Sequence, residues 1–424
     1  MSVLQTLLHE RRENGAARGI YSVCSAHPWV IRAAAQQAVA DGSVLLIEAT
    51  SNQVNQQGGY TGMRPADFRD LATRLVLEEG LPAERLILGG DHLGPNPWQK
   101  LPAEEAMTHA EVMVAEYAQA GFAKLHLDAS MPCAGDPAVL SDEIVAERAA
   151  RLCAAAETVA GGESPVYIIG TEVPVPGGAT ESLGHLQVTT RAAAERTLRV
   201  HRETFEAHGL RSVWPRVVGL VVQPGVEFNH DSVVEYVPER AVALKTMLAE
   251  VPGIVFEAHS TDYQQPRGYQ ELVEDGFAIL KVGPALTFAM REALFALEAL
   301  ERELVGSGEW SQLQEVVEDA MLRSPGNWLH HYAGSAEQQR LLRRYSYSDR
   351  MRYYWGVAEV QAAVDRLITN LEGTAMPETL VSAHLPEQYG RYRMGKVALE
   401  PVPLVMDRIR QALEPYAAAC FPQS

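Results

Sequence analysis

Residues 85–130 read RLILGGDHLGPNPWQKLPAEEAMTHAEVMVAEYAQAGFAKLHLDAS. The stretch opens on a short β-favouring run, residues 85–92, that ends in Asp91 and His92. It closes on a second run, residues 124–130, that ends in Asp128 and Ser130. Between them, Met107, Ala110, Met113, Val114 and Tyr117 fall at spacings of three and four, one face of an amphipathic helix over residues 104–120. Strand, helix, strand in this order is a βαβ unit, the building block of a parallel sheet.

The unit repeats in both directions. Further short runs occupy residues 19–26, 44–50, 166–172, 217–223, 254–259 and 278–283, most of them apolar at nearly every position. Strands buried on both faces have that composition. Helical patterns over residues 27–40, 65–80, 141–160, 189–208, 238–250 and 266–275 separate them. Eight βα units predict an α/β protein whose sheet closes into a (β/α)8 TIM barrel. An open doubly wound sheet is the alternative, but no Gly-rich dinucleotide loop follows the first strand. From about Thr287 the pattern turns helical, beginning with a long helix at residues 288–304. We assign residues 1–295 to the barrel and residues 296–424 to a helical extension packed on it.

Composition narrows the function classes. The 424 residues carry a formal net charge of −18, which repels nucleic-acid phosphates and anionic lipid headgroups. Neither nucleic acid nor membrane is an expected partner, and no stretch has the length of a membrane span. Residues 1–15 have the pattern of a short amphipathic helix rather than a signal peptide. Cys24, Cys133, Cys153 and Cys420 form no CxxC pair, so reduced thiols in a cytoplasmic protein are expected.

In such a barrel the chemistry sits at the C-terminal strand ends. Strand two supplies Glu48 and then Ser51, Asn52 and Gln53; strand three, Asp91 and His92; strand four, Asp128 and Ser130. Strand five ends in Thr171 and Glu172, strand seven in Glu257, His259, Ser260, Thr261 and Asp262, and strand eight in Lys281 before Gly283. A single Asp in such a place is commonly a helix N-cap. Several carboxylates and two histidines converging on one face ask for more than capping. Asp91, Glu48 and Asp128 are the candidate catalytic carboxylates. Asn52, Gln53, Ser130 and Lys281 are candidate substrate contacts.

His92, Glu172 and His259 follow strands three, five and seven, and alternate strands contribute to a common layer. Two imidazoles, a carboxylate and an open position suit a catalytic divalent ion, zinc first and manganese as the alternative. The plain reading is that both histidines only hydrogen-bond the rim. His27, beside Pro28, fits a turn, and Glu227 and His230 either line the pocket or shape a loop. Residues 345–355, YSYSDRMRYYW, fit a packed helix, with an arginine that closes over substrate as the sharper alternative.

These strand ends resemble a known family. LIEATSNQVNQQGGYTGM (46–63), GGDHLGPN (89–96), KLHLDAS (124–130), IGTEVPVPGG (169–178), VVQPGVEF (221–228), FEAHSTDYQ (256–264) and ILKVGPALTFA (279–289) resemble the Z-type subunits of D-tagatose-1,6-bisphosphate aldolase, the GatZ/KbaZ family. The resemblance runs through residues 345–355. It implies a role in tagatose 6-phosphate catabolism, serving galactitol or N-acetylgalactosamine use. It also implies a Y-type, zinc-dependent aldolase subunit as partner in an oligomeric assembly, with the Z-type chain supporting that subunit's activity and stability. Older labels name such chains tagatose 6-phosphate kinases, and no Gly-rich nucleotide loop supports that name here. Some relatives are described as 4-epimerases acting between fructose 6-phosphate and tagatose 6-phosphate.

The resemblance extends to the class II aldolase site. It casts Asp91 as the group that handles the C4 hydroxyl proton, and His92 and His259 as metal ligands. Glu172 stands near a further ligand position. Phosphate contacts fall near Ser260, Thr261 and Asp262 and near Gly283 to Thr287. Glu172 departs from the histidine of that pattern, and HSTD lacks the glycine that follows the family's histidine. The expected function is that of an accessory aldolase subunit, with a metal-dependent 4-epimerase of ketohexose phosphates, working by retro-aldol and aldol steps, as the alternative.

Overall fold

A computed structural model describes residues 4, 6, 17–159, 164–173, 178–179, 186–251 and 253–422. The amphipathic N-terminal stretch, apart from Leu4 and Thr6, and residues 174–177 of the fifth strand's loop lie outside the described residues. Eight strands form the sheet: β1 (Ile20–Val23), β2 (Leu45–Thr50), β3 (Leu86–Leu93), β4 (Lys124–Leu127), β5 (Val166–Ile169), β6 (Val217–Val221), β7 (Val255–Ala258) and β8 (Phe277–Val282). All neighbours pair in parallel, and β1 pairs with both β2 and β8, which closes the barrel. The eight strands expected from the sequence are these eight, and the (β/α)8 barrel is the architecture.

One helix follows each strand: α1 (Pro28–Asp41), α2 (Pro65–Glu78), α3 (Ala103–Gln119), α4 (Asp142–Val159), α5 (Arg191–Ala207), α6 (Pro238–Glu250), α7 (Pro266–Glu274) and α8 (Pro284–Leu304). Local chemistry sets their ends. His27 caps α1 by accepting the Trp29 N–H on Nδ1, 3.2 Å, and Pro28 fills the first position, where no N–H is needed. Gly42 ends α1 in the left-handed conformation, φ 69°. His27 is therefore a cap. The long eighth helix begins at Pro284, earlier than its apolar pattern alone suggests, because Gly283–Pro284 starts it.

Six more helices follow among the described residues: α9 (Leu313–Arg323), α10 (Ala336–Tyr345), α11 (Ala358–Leu371), α12 (Glu378–His384), α13 (Pro386–Arg393) and α14 (Pro401–Cys420). Helix α14 lies against α1, α7 and α8. The Gly19 N–H donates to the Cys420 carbonyl (3.2 Å), so the last helix is tied to the start of β1. Residues 345–355 do not form the packed helix expected from their composition. Helix α10 stops at Tyr345, Asp349 adopts φ 42°, and only a 3-10 turn, Arg350–Tyr353, follows. The left-handed residue breaks the helical path. Among the described residues no helix is long and apolar enough to cross a membrane.

The barrel interior is layered by the period-two alternation of its strands. Ile20, Leu46, Ile87, Val166, Ile168, Val218 and Ile279 fill one end with hydrocarbon. Two residues further along three of these strands the inward positions turn polar: Ile20 gives way to Ser22, Leu46 to Glu48 and Ile279 to Lys281. Strand β4 contributes Lys124 and His126 and the residue after them Asp128, all three buried. The barrel is thus plugged below and ionisable above, at its C-terminal mouth.

Candidate active site and metal centre

Two lysines hold the lower edge of the polar layer. Lys124 Nζ lies 2.6 Å from Glu48 Oε1 and 2.7 Å from Glu257 Oε2, and all three side chains are completely buried. Lys281 Nζ pairs with Glu48 Oε2, with Asp91 Oδ1 at 2.8 Å and with Glu257 Oε1 at 3.8 Å. A buried charge left unpaired is costly, so each of these groups fixes the others. Gly89 leaves room for the arrangement: a Cβ there would meet Glu48 Cγ at 2.7 Å.

Strand β3 delivers two adjacent residues to the same mouth. In a regular strand Asp91 and His92 would face opposite sides. The register with β4 shifts between Gly90 and Leu93, and His92 adopts φ 48°. This bulge re-aims the chain, and both side chains line the pocket.

Three imidazoles meet here. The His92, His126 and His259 rings lie 4.9 to 5.2 Å apart, centroid to centroid. Each has one nitrogen against a carboxylate: His92 Nδ1 to Asp128 Oδ2 at 2.7 Å, His126 Nδ1 to Asp91 Oδ1 at 3.1 Å, and His259 Nε2 to Glu257 Oε1 at 3.0 Å. Carboxylate-anchored histidines are the standard support of a metal site. His126 Nε2 is buried with no hydrogen-bond partner. Asp91, His126, Glu257 and His259 each offer a ligand atom within 4.8 Å of the others. Four acidic side chains (Glu48, Asp91, Asp128 and Glu257) share this layer with two lysines; burial opposes a charged His92 but Asp91 and Asp128 raise its pKa, and a divalent cation would offset the remaining acidic excess. By donor chemistry and charge this buried group could hold a metal ion.

Electrostatics follow the contacts. Burial disfavours the Asp91 carboxylate, but His92 and Lys281 overcome it and hold its pKa well below the ordinary value. Burial likewise opposes a charged Lys281, yet Asp91 and the neighbouring acids keep it an ammonium. His259 is pushed down to about 4 by burial, with Glu257 acting against the shift.

The sequence candidates separate in space. Asn52, Gln53, Asp91, His92, His259, Ser260, Asp262, Lys281 and Gly283 line one pocket. Glu48 lies beneath it through Lys281, and Asp128 stands behind His92. Ser130 Oγ donates to Asp128 Oδ1 at 2.6 Å. Thr261 Oγ1 donates to the Lys281 carbonyl (2.6 Å), and Thr287 Oγ1 to Asp349 Oδ2 (2.5 Å); both face protein groups. Glu172 does not join the histidines. Strand β5 ends at Ile169, and Glu172 is exposed, accepting from Thr189 Oγ1 at 2.5 Å. The structure gathers His126 with His92 and His259 instead, a residue the sequence reading passed over. Its signal was the alternation Lys124, His126, Asp128 in KLHLDAS.

Glu227 sits in a short antiparallel hairpin, Glu227–Phe228 with Val233–Val234, and His230 hydrogen-bonds Ser346 Oγ through Nδ1 at 3.1 Å. Burial raises the Glu227 carboxyl to about 7. In the unfolded chain it titrates near 4.5, so its contribution to stability is fully present below that pH and is lost as pH rises through 7. Glu227→Gln is expected to flatten the fall in unfolding free energy between about pH 4.5 and 7, by up to roughly 3 kcal/mol. Denaturant melts of both proteins across that range measure it; parallel pH profiles would contradict it.

A family model described as D-tagatose-1,6-bisphosphate aldolase subunit GatZ/KbaZ-like matches residues 4–421. A crystal structure described as a probable tagatose 6 phosphate kinase from Sinorhizobium meliloti 1021 is 52% identical, covers 95% of this chain and 100% of that one, and superposes with a TM-score of 0.89. The fructose-bisphosphate aldolase of Campylobacter jejuni is 13% identical, covering 87% of this chain and 92% of that one, with a TM-score of 0.47.

Proposed function

The chain belongs to the D-tagatose-1,6-bisphosphate aldolase subunit GatZ/KbaZ-like family, and we propose that its own barrel is catalytic: a metal-dependent 4-epimerase of ketohexose phosphates, interconverting fructose 6-phosphate and tagatose 6-phosphate. The observation that carries this reading is the set of three carboxylate-anchored histidines beside the Asp91–Lys281 pair, in one pocket. A scaffold has no use for so many buried ionisable groups, each of which costs desolvation.

His92, His126 and His259, with Asp91 adjacent, would hold a divalent ion, zinc or manganese. Such an ion stabilises negative charge that develops on the substrate's C2 oxygen. Asp91, kept ionised by Lys281, accepts the C4 hydroxyl proton. The C3–C4 bond then breaks: its electron pair passes to the C2–C3 fragment as an enediolate, and C4 becomes an aldehyde. The aldehyde turns its other face, C3 re-adds to C4, and Asp91 returns the proton to the new C4 oxygen. The steps balance without an external oxidant, reductant or water. If the fragments leave instead, the same steps are an aldol cleavage.

The family description favours a second reading, in which the chain supports a Y-type catalytic subunit. The two readings separate in one assay. Metal-loaded chain alone, incubated with fructose 6-phosphate, is expected to form tagatose 6-phosphate, followed by carbon NMR. Loaded chain that forms none, yet stimulates a Y-type aldolase, would leave the accessory role standing.

A further inference from the structure

We infer that Arg352, supplied by the helical extension, is the anion-recognition residue of the barrel pocket and binds the terminal phosphate of the sugar; the identity of that ligand rests on the reading above.

The usual place for a phosphate in such a barrel is the N-terminus of the helix after β8. Here that place is taken by the chain itself. Asp262 Oδ1 accepts the N–H groups of Gly283 and Ala285 at 3.0 and 2.9 Å, at the start of α8. An anionic substrate group would have to displace a resident carboxylate to reach those amides.

The opposite wall offers a cation. Arg352 lines the same pocket as Asp91, His92, His259 and Lys281. In a chain with 54 acidic and 36 basic residues, it has no carboxylate within 4.0 Å among the described residues. The nearby Asp349 carboxylate is turned away, toward Thr287 Oγ1 (2.5 Å) and Arg291 Nη1 (3.4 Å). Only the main chain serves Arg352 on that side: Nη1 donates to the Ser348 carbonyl and to the Asp349 carbonyl, the latter at 3.2 Å. Nη2 donates to Tyr353 Oη at 3.0 Å. A guanidinium has five N–H groups, and these bonds leave Nε–H and the second Nη2–H for a ligand.

The cation is also held still. Its guanidinium lies 4.6 Å from the Tyr353 ring centroid, and Tyr353 meets Tyr60 edge-on at 4.8 Å. Arg350, two residues earlier in the same turn, spends its Nε–H on the Asn327 carbonyl and does not line this pocket. A planar, pre-positioned fork with two free N–H groups suits a phosphate, which accepts paired, charge-assisted hydrogen bonds.

Arg352→Gln is expected to raise KM for fructose 6-phosphate on the order of ten- to a hundredfold. That rise should exceed any rise for unphosphorylated fructose by at least tenfold. Arg352→Lys, which keeps the charge and loses the fork, should fall between and provides the test if the Gln variant does not fold. A second readout needs no turnover: inorganic phosphate should raise the thermal midpoint of the wild-type chain and not that of Arg352→Gln. Equal KM changes for both sugars, or phosphate stabilisation that survives the substitution, would overturn the inference with the epimerase reading intact. Phosphate stabilisation lost in the variant, in a chain that never epimerises, would sustain the anion site and sink the epimerase reading.

Discussion

Asp91→Asn is expected to lower the rate of tagatose 6-phosphate formation by roughly 10²–10⁴-fold, the usual contribution of a positioned general base. The amide keeps the size and reach of the carboxylate but cannot accept the C4 hydroxyl proton. The surroundings should tolerate the change. Lys281 loses a partner at 2.8 Å but keeps Glu48, and the Asn side chain can still hydrogen-bond His126 Nδ1, now 3.1 Å from the carboxylate. Metal content, carried by the three imidazoles, is expected to hold, and the thermal midpoint to change little. Rate, bound metal and midpoint are therefore measured together on the same preparation. Loss of rate alone identifies a base. A fall in all three means that Asp91 shapes the site, and wild-type turnover in the variant removes it from the chemistry.

The barrel was legible because its strands are buried on both faces, so VLLIEAT or RLILGGDH cannot be mistaken for half-exposed elements. The strand ends told which residues reach the mouth, since the polar layer begins where hydrocarbon stops. What lay inside a strand was harder to see. Lys124 and His126 belong to KLHLDAS, but only its last polar residues were read as functional. The period of two places Lys124, His126 and Asp128 on one side, and the buried ion pairs of Lys124 follow from it. Glu172 failed for the converse reason: β5 ends at Ile169, so the alternation no longer dictates where a residue three positions later points. The bulge at His92 and the Asp349 turn that presents Arg352 depend on left-handed residues other than glycine, which sequence marks poorly. Asp262 was expected near a phosphate, and its actual position at the start of α8 depends on a contact between two loops.

His126→Ala carries the heaviest test of the metal centre. The ring supplies the buried Nε2 that no protein group satisfies, and its Nδ1 stands 3.1 Å from Asp91 Oδ1. Removing it is expected to lower bound divalent metal from near one equivalent to a small fraction. Loss of a mere supporting partner typically costs 10–100-fold in affinity, and loss of a ligand costs more. The substitution also takes the Nδ1 partner from the buried Asp91 carboxylate, a penalty of about 1–3 kcal/mol that has nothing to do with metal. Chelation separates the two effects. A ligand at about a hundred times its Kd stabilises the folded state by roughly 2.7 kcal/mol, so a chelator should lower the wild-type midpoint by several degrees. His126→Ala should start lower and not respond. Glu172→Ala, exposed and away from the rings, should match wild type in metal content and in its response to the chelator. A His126→Ala chain that still binds a full equivalent, or a Glu172→Ala chain that loses it, would return the metal to the strand-five position read from the sequence.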